Sequence, residues 1–370
     1  MISDSTSQLR TWAEINLSAL HHNLRVAKSY AGDRQIMVVV KADAYGHGLA
    51  GVVDALSDDV RWFGVANVAE GLEVTRHAPG KVFVLGPILP SERAIAVGNG
   101  FVIAVSSFAE AMAFDTLAKD LGIKATLHLA IDTGMGRMGC LESEAEKTAE
   151  AIAGLTNVQL DGIASHFPSA DEDADYTREQ IARAETLRLQ LPKTQHFHLS
   201  NSAGLLDFSE AQSSVTLMRP GLMLYGISPL PQHQAELEPV LTLKSHVTLV
   251  RDVPAGHSIS YGRSYVTKKP QRVATVGLGY GDGYPRSLSN KGAEALIGGE
   301  RCRLLGRVSM DQIVLDVSHL EEAPQPGDEV VLIGKQGDEQ LLVSELAEKA
   351  GTISWEIMTG ITRRVQRVYR

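Results

Sequence analysis

Between residues 35 and 225 the chain repeats one alternation: a short, nearly continuous apolar run, then a longer stretch with apolar residues at helical spacing. The apolar runs fall at 36–40, 62–66, 82–85, 102–105, 125–131, 158–165, 197–199 and 215–218. Each is short and nearly continuous in apolar residues, which suits a strand covered on both faces. Helical patterns lie between them, at 49–56, 68–76, 109–121, 142–153 and 175–191. Eight strands with intervening helices predict an α/β fold of the (β/α)8 TIM-barrel type rather than an open doubly wound sheet.

The grammar changes after Tyr225. A polar stretch at 232–238, flanked by Pro229, Pro231 and Pro239, reads as a linker. Beyond it, alternating runs at 241–250, 259–261, 272–276, 302–308, 313–317 and 329–333 are punctuated by Gly and Pro, and only 342–350 has a helical pattern. This predicts a mainly β C-terminal domain. The expected boundaries are 13–234 for the barrel and 235–370 for the β-domain. A strand near 11–17 is a candidate to cover an edge of the second sheet, so residues 1–12 are a candidate to pack there.

Composition narrows the function classes. The chain has 370 residues, enough for two or three domains. Lys+Arg 35 against Asp+Glu 44 gives a net charge of −9 with no basic run, so neither a nucleic-acid nor an anionic-membrane partner is expected. Two cysteines, Cys140 and Cys302, make no disulfide framework and point to a reducing compartment. Residues 1–20 carry Asp4, Arg10 and Glu14 and lack the apolar core of a signal peptide. No run has the 18 or so apolar residues of a membrane span. The expectation is a cytoplasmic protein.

In a parallel barrel, reactive groups gather on the loops after the strands. Those loops carry Lys41, Tyr45 and His47 after the first run, Asp132 to Arg137 after the fifth, and Ser165-His166-Phe167 after the sixth. Ser200-Asn201-Ser202 follows the seventh run and Arg219-Pro-Gly221-Leu222 the eighth. Lys41 ends a buried run, and burial lowers an amine's pKa and makes it nucleophilic, as Schiff-base chemistry requires. An isolated lysine there would simply snorkel. Ser202 opens a predicted helix and Gly221-Leu222 lie in a turn, so a hydroxyl and backbone N–H groups make a phosphate cradle. The pair His196 and His198 could ligate a metal, but no carboxylate cluster accompanies it; core hydrogen bonding is the better reading and no metal is expected. Gly277-Leu-Gly-Tyr-Gly-Asp-Gly283 lacks the spacing of a dinucleotide loop and reads as a turn.

The ordered motifs carry a resemblance. Val-Val-Val-Lys41-Ala-Asp-Ala-Tyr45-Gly-His47-Gly resembles the pyridoxal-phosphate attachment segment of the alanine racemase family. The likeness continues through Asp132-Thr-Gly-Met-Gly-Arg137-Met-Gly139, His166-Phe167, His198-Leu-Ser-Asn201-Ser202 and Arg219-Pro-Gly-Leu-Met-Leu-Tyr225-Gly. It then runs through Ile259-Ser-Tyr261-Gly, Gly279-Tyr280-Gly-Asp282-Gly283 and Gly306-Arg-Val-Ser-Met310-Asp311-Gln312.

That resemblance implies a pyridoxal 5'-phosphate enzyme interconverting L- and D-alanine and, in a bacterium, supplying D-alanine for peptidoglycan. Lys41 would hold the cofactor and act at one face of the substrate's Cα, with Tyr261 at the other, since racemisation needs two opposed bases. Arg219 would face the pyridine nitrogen as a permanent donor, favouring return of a proton over transamination. His166 would link Arg219 towards Tyr261. Arg137 would contact the cofactor's phenolic oxygen and the substrate carboxylate. Tyr45, Ser202, Gly221 and Leu222 would hold the phosphate, Met310 would help bind substrate, and Tyr280 would narrow the entrance. A homodimer is implied, with Tyr261 and Met310 contributed across the interface.

Three positions depart from the family pattern. Ala130 stands where many relatives carry a carbamylated lysine that orients the arginine, so a bound chloride, another carboxylate or a less ordered Arg137 is expected. Trp355 replaces a common tyrosine, which makes it a doubtful phosphate ligand. Ser309 replaces a common cysteine, a nearly neutral change. The rival readings are a serine or broader-specificity racemase, a non-catalytic pyridoxal-phosphate-binding barrel, and a metal-dependent barrel hydrolase using His196 and His198.

Overall fold

The computed structural model describes residues 8–209 and 212–370. The suggestion that residues 1–12 pack with the β-domain falls, for residues 1–7, outside the described residues. The chain divides into two compact units. One comprises residues 19–44 and 49–238; the other comprises the segment ending at Ser18, residues 45–48 and residues 239–370. No helix among the described residues is long and apolar enough to cross a membrane.

After an N-terminal strand, β1 (Thr11–Ile15), come the parallel strands of the first unit. They are β2 (Gln35–Val39), β3 (Trp62–Val65), β4 (Lys81–Val84), β5 (Val102–Val105), β6 (Ala125–Asp132), β7 (Val158–Ala164), β8 (His196–His198) and β9 (Leu217–Met218). Pairing runs in the order β9-β2-β3-β4-β5-β6-β7-β8. The ring closes through Thr216 N–H to the Phe197 carbonyl at 2.9 Å and Arg219 N–H to the Ser200 carbonyl at 3.1 Å. The eight apolar runs therefore form a (β/α)8 barrel-like sheet, buried because helices lie between successive strands. Polar side chains start several of those helices: Asn67 accepts from the Glu70 amide, Ser107 from the Glu110 amide and Asp173 from the Tyr176 amide.

Met37, Trp62, Phe83, Val102, Ala104 and Leu217 make one apolar cluster of the barrel core, each large side chain contributing roughly 1.5–3 kcal/mol by leaving water. A polar seam runs through this apolar interior. His128, Asp161, His196 and His198 are buried, and His128 lies 5.0 Å from the Phe83 ring, centroid to centroid. The β6–β7 register slips between Leu127 and His128, so that Leu127 faces Leu160 while His128 faces Gly162. Asp161 is the extra residue, and a bulge of this kind re-aims a side chain.

In the second unit β1 pairs antiparallel with the long strand β10 (Leu241–Val253), in the register Thr11 to Ser245 through Ile15 to Leu241. The early strand does join the second sheet, as its sequence suggests. Along β10 the register breaks twice, which lets one strand bend and serve three partners. Its second half pairs with β11 (Gln271–Val276). The sheet also takes in β12 (Glu294–Ile297), β13 (Glu300–Arg303), β14 (Ile313–Asp316), β15 (Glu329–Gln336) and β16 (Gln366–Tyr369). Strands β12 and β16 and the helix Ser354–Thr359 have no counterpart in the sequence pattern. The run at 259–261 is also shorter than expected. Its strand is Ser258–Ile259, and Ser260, at φ 62°, turns the chain into a 3-10 segment, Tyr261–Arg263.

Gly162 shows how tightly the barrel interior is fitted. A Cβ there would lie 2.6 Å from ring atoms of His128. Gly162→Ala is expected to cost about 1–3 kcal/mol by displacing that imidazole, measured as a lowered urea midpoint; an unchanged midpoint would mean that the ring has room to move.

Candidate functional site

Lys41 stands at the end of β2, and the backbone after it is unusual. Ala42, Asp43, Ala44 and Tyr45 have φ of 54, 56, 53 and 53°, four successive L-residues in the left-handed region. Each costs roughly 1–2 kcal/mol relative to a right-handed turn. Hydrogen bonds hold the segment. Ala44 N–H donates to the Val40 carbonyl at 2.8 Å. Ala42 N–H donates to Glu70 Oε1 at 2.7 Å, and Glu70 Oε2 accepts from the Ala66 amide at 2.8 Å. Asp43 accepts from the Leu49 amide, the start of the next helix, at 2.8 Å. The apolar run before Lys41 shows the strand but gives no sign of this turn or of the role of Glu70.

The Lys41 amine is partly buried. Burial, and then the Arg137 and Arg219 cations, lower its pKa below the ordinary lysine value, with Glu70 opposing them. Of those two arginines, Arg137 is exposed. Its loop is set by Asp132, whose carboxylate accepts from Gly134 N–H at 2.9 Å and Gly136 N–H at 3.0 Å. Burial raises the Asp132 pKa, yet these amide bonds outweigh it and hold the carboxyl below its usual range. Ala130 is buried, and among the described residues no carboxylate lies within ion-pair reach of Arg137. The structure thus does not supply the substitute carboxylate that was one of the expected outcomes.

Arg219 is buried and held on several sides. Its Nη2 donates to the carbonyls of Ser165 at 2.8 Å and Leu199 at 2.9 Å, and contacts His166 Nδ1 at 3.1 Å. Its Nη1 donates to His198 Nδ1 at 2.6 Å. Burial and then Arg137 lower its pKa to about 10, so it remains a cation at neutral pH. A guanidinium only donates. The nitrogen of His166 that faces it must therefore accept, and burial with the neighbouring cations keeps that ring neutral, its pKa down to about 3.

Ser202, Gly221 and Leu222 come together as the sequence suggests. Ser202 Oγ accepts from Gly221 N–H at 3.0 Å and Met223 N–H at 3.3 Å. Both lone pairs are used, which leaves the hydroxyl proton for a ligand. Leu222 begins the 3-10 turn Leu222–Tyr225, and its N–H has no intrahelical partner. These donors suit an anion such as a phosphate ester.

The other expected residues belong to the β-unit. Tyr45 is buried, which raises its phenol's pKa. Tyr261 is 71% exposed and Met310 52%. The Tyr280 amide donates to the Ser309 carbonyl at 3.0 Å and the Gly281 amide to Met310 at 2.8 Å, so Tyr280 and Met310 share one loop pair. Trp355 is half-buried on the helix Ser354–Thr359. His198 uses both ring nitrogens, on Arg219 and on His128. Among the described residues no three His, Cys, Asp or Glu side chains are grouped to hold a metal.

Two outcomes follow from this geometry. His128, His196 and His198 are buried, and burial lowers the pKa of all three, that of His196 to about 4. Below the ordinary histidine value the unfolded chain binds protons that the folded chain refuses. Stability should therefore fall as pH drops from about 6.5 towards 4, by roughly 1.4 kcal/mol per pH unit for each histidine. Urea midpoints at pH 7.5 and 5 measure this, and a flat profile would contradict it. Ala42→Gly, at an exposed left-handed position, should leave stability unchanged or raise it by up to about 1 kcal/mol; a loss of that size would place Ala42 in an ordinary turn.

Comparison with known proteins agrees with this architecture. The model of the alanine racemase N-terminal domain matches residues 15–229 and that of the C-terminal domain residues 240–369. Alanine racemases of Halothermothrix orenii and Symbiobacterium thermophilum are 39% and 40% identical to it, each aligned over 97% of both chains. The solved alanine racemase of Clostridium difficile superposes with a TM-score of 0.92 at 34% identity, covering 98% of this chain and 96% of that one. That of Bartonella henselae, solved with covalently bound pyridoxal phosphate, gives 0.90 at 28% identity over 98% and 99%. Matched along both halves and nearly end to end, this chain belongs to the alanine racemase family.

Proposed function

We propose that the protein is a pyridoxal 5'-phosphate-dependent isomerase that interconverts L- and D-alanine by proton transfer at opposite faces of Cα. The observation that carries this reading is the Lys41 amine, made less basic first by partial burial and then by the Arg137 and Arg219 cations, on a rim that also carries the Ser202–Leu222 anion cradle. That donor set fits the cofactor: an amine for its aldehyde, a hydroxyl and amides for its phosphate, and Arg219 for its ring nitrogen. Bound there, pyridoxal 5'-phosphate withdraws electrons from an amino acid's Cα and makes that proton removable.

The chain's own residues do the rest. A less basic amine on Lys41 is free of its extra proton more often at neutral pH, so it can accept the Cα proton on its side. Arg219 keeps its protons at neutral pH, so it would donate a hydrogen bond to the ring nitrogen without giving it a charge. That would leave a weaker electron sink and favour rapid return of the proton to Cα. His166, neutral and accepting from Arg219 at Nδ1, carries its own proton on Nε2 and can pass a hydrogen bond onward. Tyr261 is the second base in this reading. Its large exposure, with that of Met310, supports a homodimer in which both enter the partner subunit's site. In a bacterium the D-alanine formed would serve peptidoglycan, and the enzyme would work in the cytoplasm.

Borohydride reduction of the yellow protein should fix the cofactor on Lys41, located by peptide mass spectrometry; an adduct elsewhere would end this reading. Tyr261→Phe should keep the colour and slow deuterium wash-in at Cα from one alanine enantiomer far more than from the other, by about 10² or more. Equal slowing of both enantiomers would tell against two opposed bases. The same wash-in with serine in place of alanine measures the substrate preference.

A further inference from the structure

The proposed reaction uses the rim of the barrel and leaves unexplained the polar groups beneath it. His198 Nε2 lies 2.8 Å from His128 Nδ1. The far nitrogen of His128, Nε2, lies 3.9 Å from Asp161 Oδ2, and His196 Nε2 lies 3.7 Å from the same oxygen. All four side chains are buried. The last two distances exceed a hydrogen bond and are electrostatic contacts. Gln159 donates to the other carboxylate oxygen at 3.1 Å.

We propose that His198, His128 and Asp161 form a one-directional positioning chain that locks the guanidinium of Arg219 at the cofactor ring. The direction follows from counting protons. Arg219 Nη1 can only donate, so His198 Nδ1 must accept and its proton sits on Nε2. That Nε2–H points at His128 Nδ1, which must accept in turn, so the His128 proton also sits on Nε2. It then faces the Asp161 carboxylate. A proton on His128 Nδ1 would leave two donors face to face, or strip His198 of both protons. Only one arrangement avoids opposed donors from Arg219 to His128 and turns the last N–H towards the anion inside, which His128 Nε2 meets as an electrostatic contact at 3.9 Å. The lowered pKa values of both histidines, caused first by burial, agree with neutral rings.

The fold is built to hold this chain. The bulge that makes Asp161 the unpaired residue aims its carboxylate inward. Gly162 leaves the space that the His128 ring fills. Without an acceptor on His128, the His198 ring is free to tilt or flip, and Arg219 loses the contact that fixes Nη1. These three are positioning residues, because they act on the cofactor only through Arg219. The role of Arg219 itself rests on the function proposed above.

Neutron diffraction from deuterated crystals of the cofactor-loaded protein tests the chain directly. Deuterons are expected on Nε2 of His198 and of His128, with none on either Nδ1 and none on the Asp161 carboxylate. A deuteron at any of those three excluded places overturns the proposal, whether or not the protein racemises alanine. A pair of variants tests its purpose: His128→Leu removes the acceptor, and His128→Asn restores one. His128→Leu should lower kcat by about ten- to a hundredfold, shift the cofactor's absorption band and raise the fraction of keto-acid by-product, with KM little changed. His128→Asn should recover most of each. Equal behaviour of the two variants, or a His128→Leu protein with wild-type kcat and spectrum, would reduce the chain to packing and overturn its role. If His128→Leu does not fold, the deuteron positions still decide. If the wild-type protein fails to racemise alanine while the deuterons are placed as expected, the proposed function falls and the proton order stands.

Discussion

The barrel is organised around one buried cation. Arg219 brings a guanidinium into an interior where an unpaired charge would cost several kcal/mol, and the structure answers with two carbonyls and two imidazole nitrogens. Each of those acceptors constrains something else. The carbonyls of Ser165 and Leu199 tie two strand ends to the group, and the imidazoles have their protonation decided for them. A polar seam inside an otherwise apolar barrel is the result, and Gly162 and the bulge at Asp161 belong to the same constraint.

The second feature is the strain beside Lys41. Four left-handed residues in a row persist only because the surroundings over-determine them. Glu70 holds the backbone just after Lys41, and Asp43 spends its carboxylate on the next helix. The lysine therefore leaves its strand on a fixed backbone rather than a loose loop. On the function proposed above, a rigid amine and a rigid guanidinium would hold a cofactor ring at both ends without reorganisation during the reaction. Local strain near Lys41 and dense hydrogen bonding around Arg219 thus serve the same end.

The β-unit shows where sequence patterns lose information. The strands β12 and β16 are four residues each, too short for alternation to stand out, and β16 is a strand because β1 lies beside it in register. At 259–261 the apolar run reads as a strand, yet Ser260 breaks it and leaves Tyr261 exposed. The barrel was easier to read, since burial on both faces writes most of its strands as short, largely apolar runs. The candidate site residues Lys41, Ser202 and Arg219 were legible for a related reason: they follow closely on those runs. Glu70, His128 and Asp161 were not. A glutamate in a helix's first turn, or a histidine inside a strand, looks the same in sequence whether or not it supports a site.

By itself the sequence determined the two-part architecture, the strands of the barrel and the residues that line its rim, because burial and turn chemistry are local and leave periodic marks. Tertiary structure alone decided which way each imidazole points its proton, which carboxylate enters the core, and that the chain after Lys41 turns left-handed. The first two outcomes depend on partners brought together from β6, β7, β8 and the loop after β9, and the third on Glu70, from the helix after β3. A hydrogen bond's direction is a property of the pair, and no single residue type carries it.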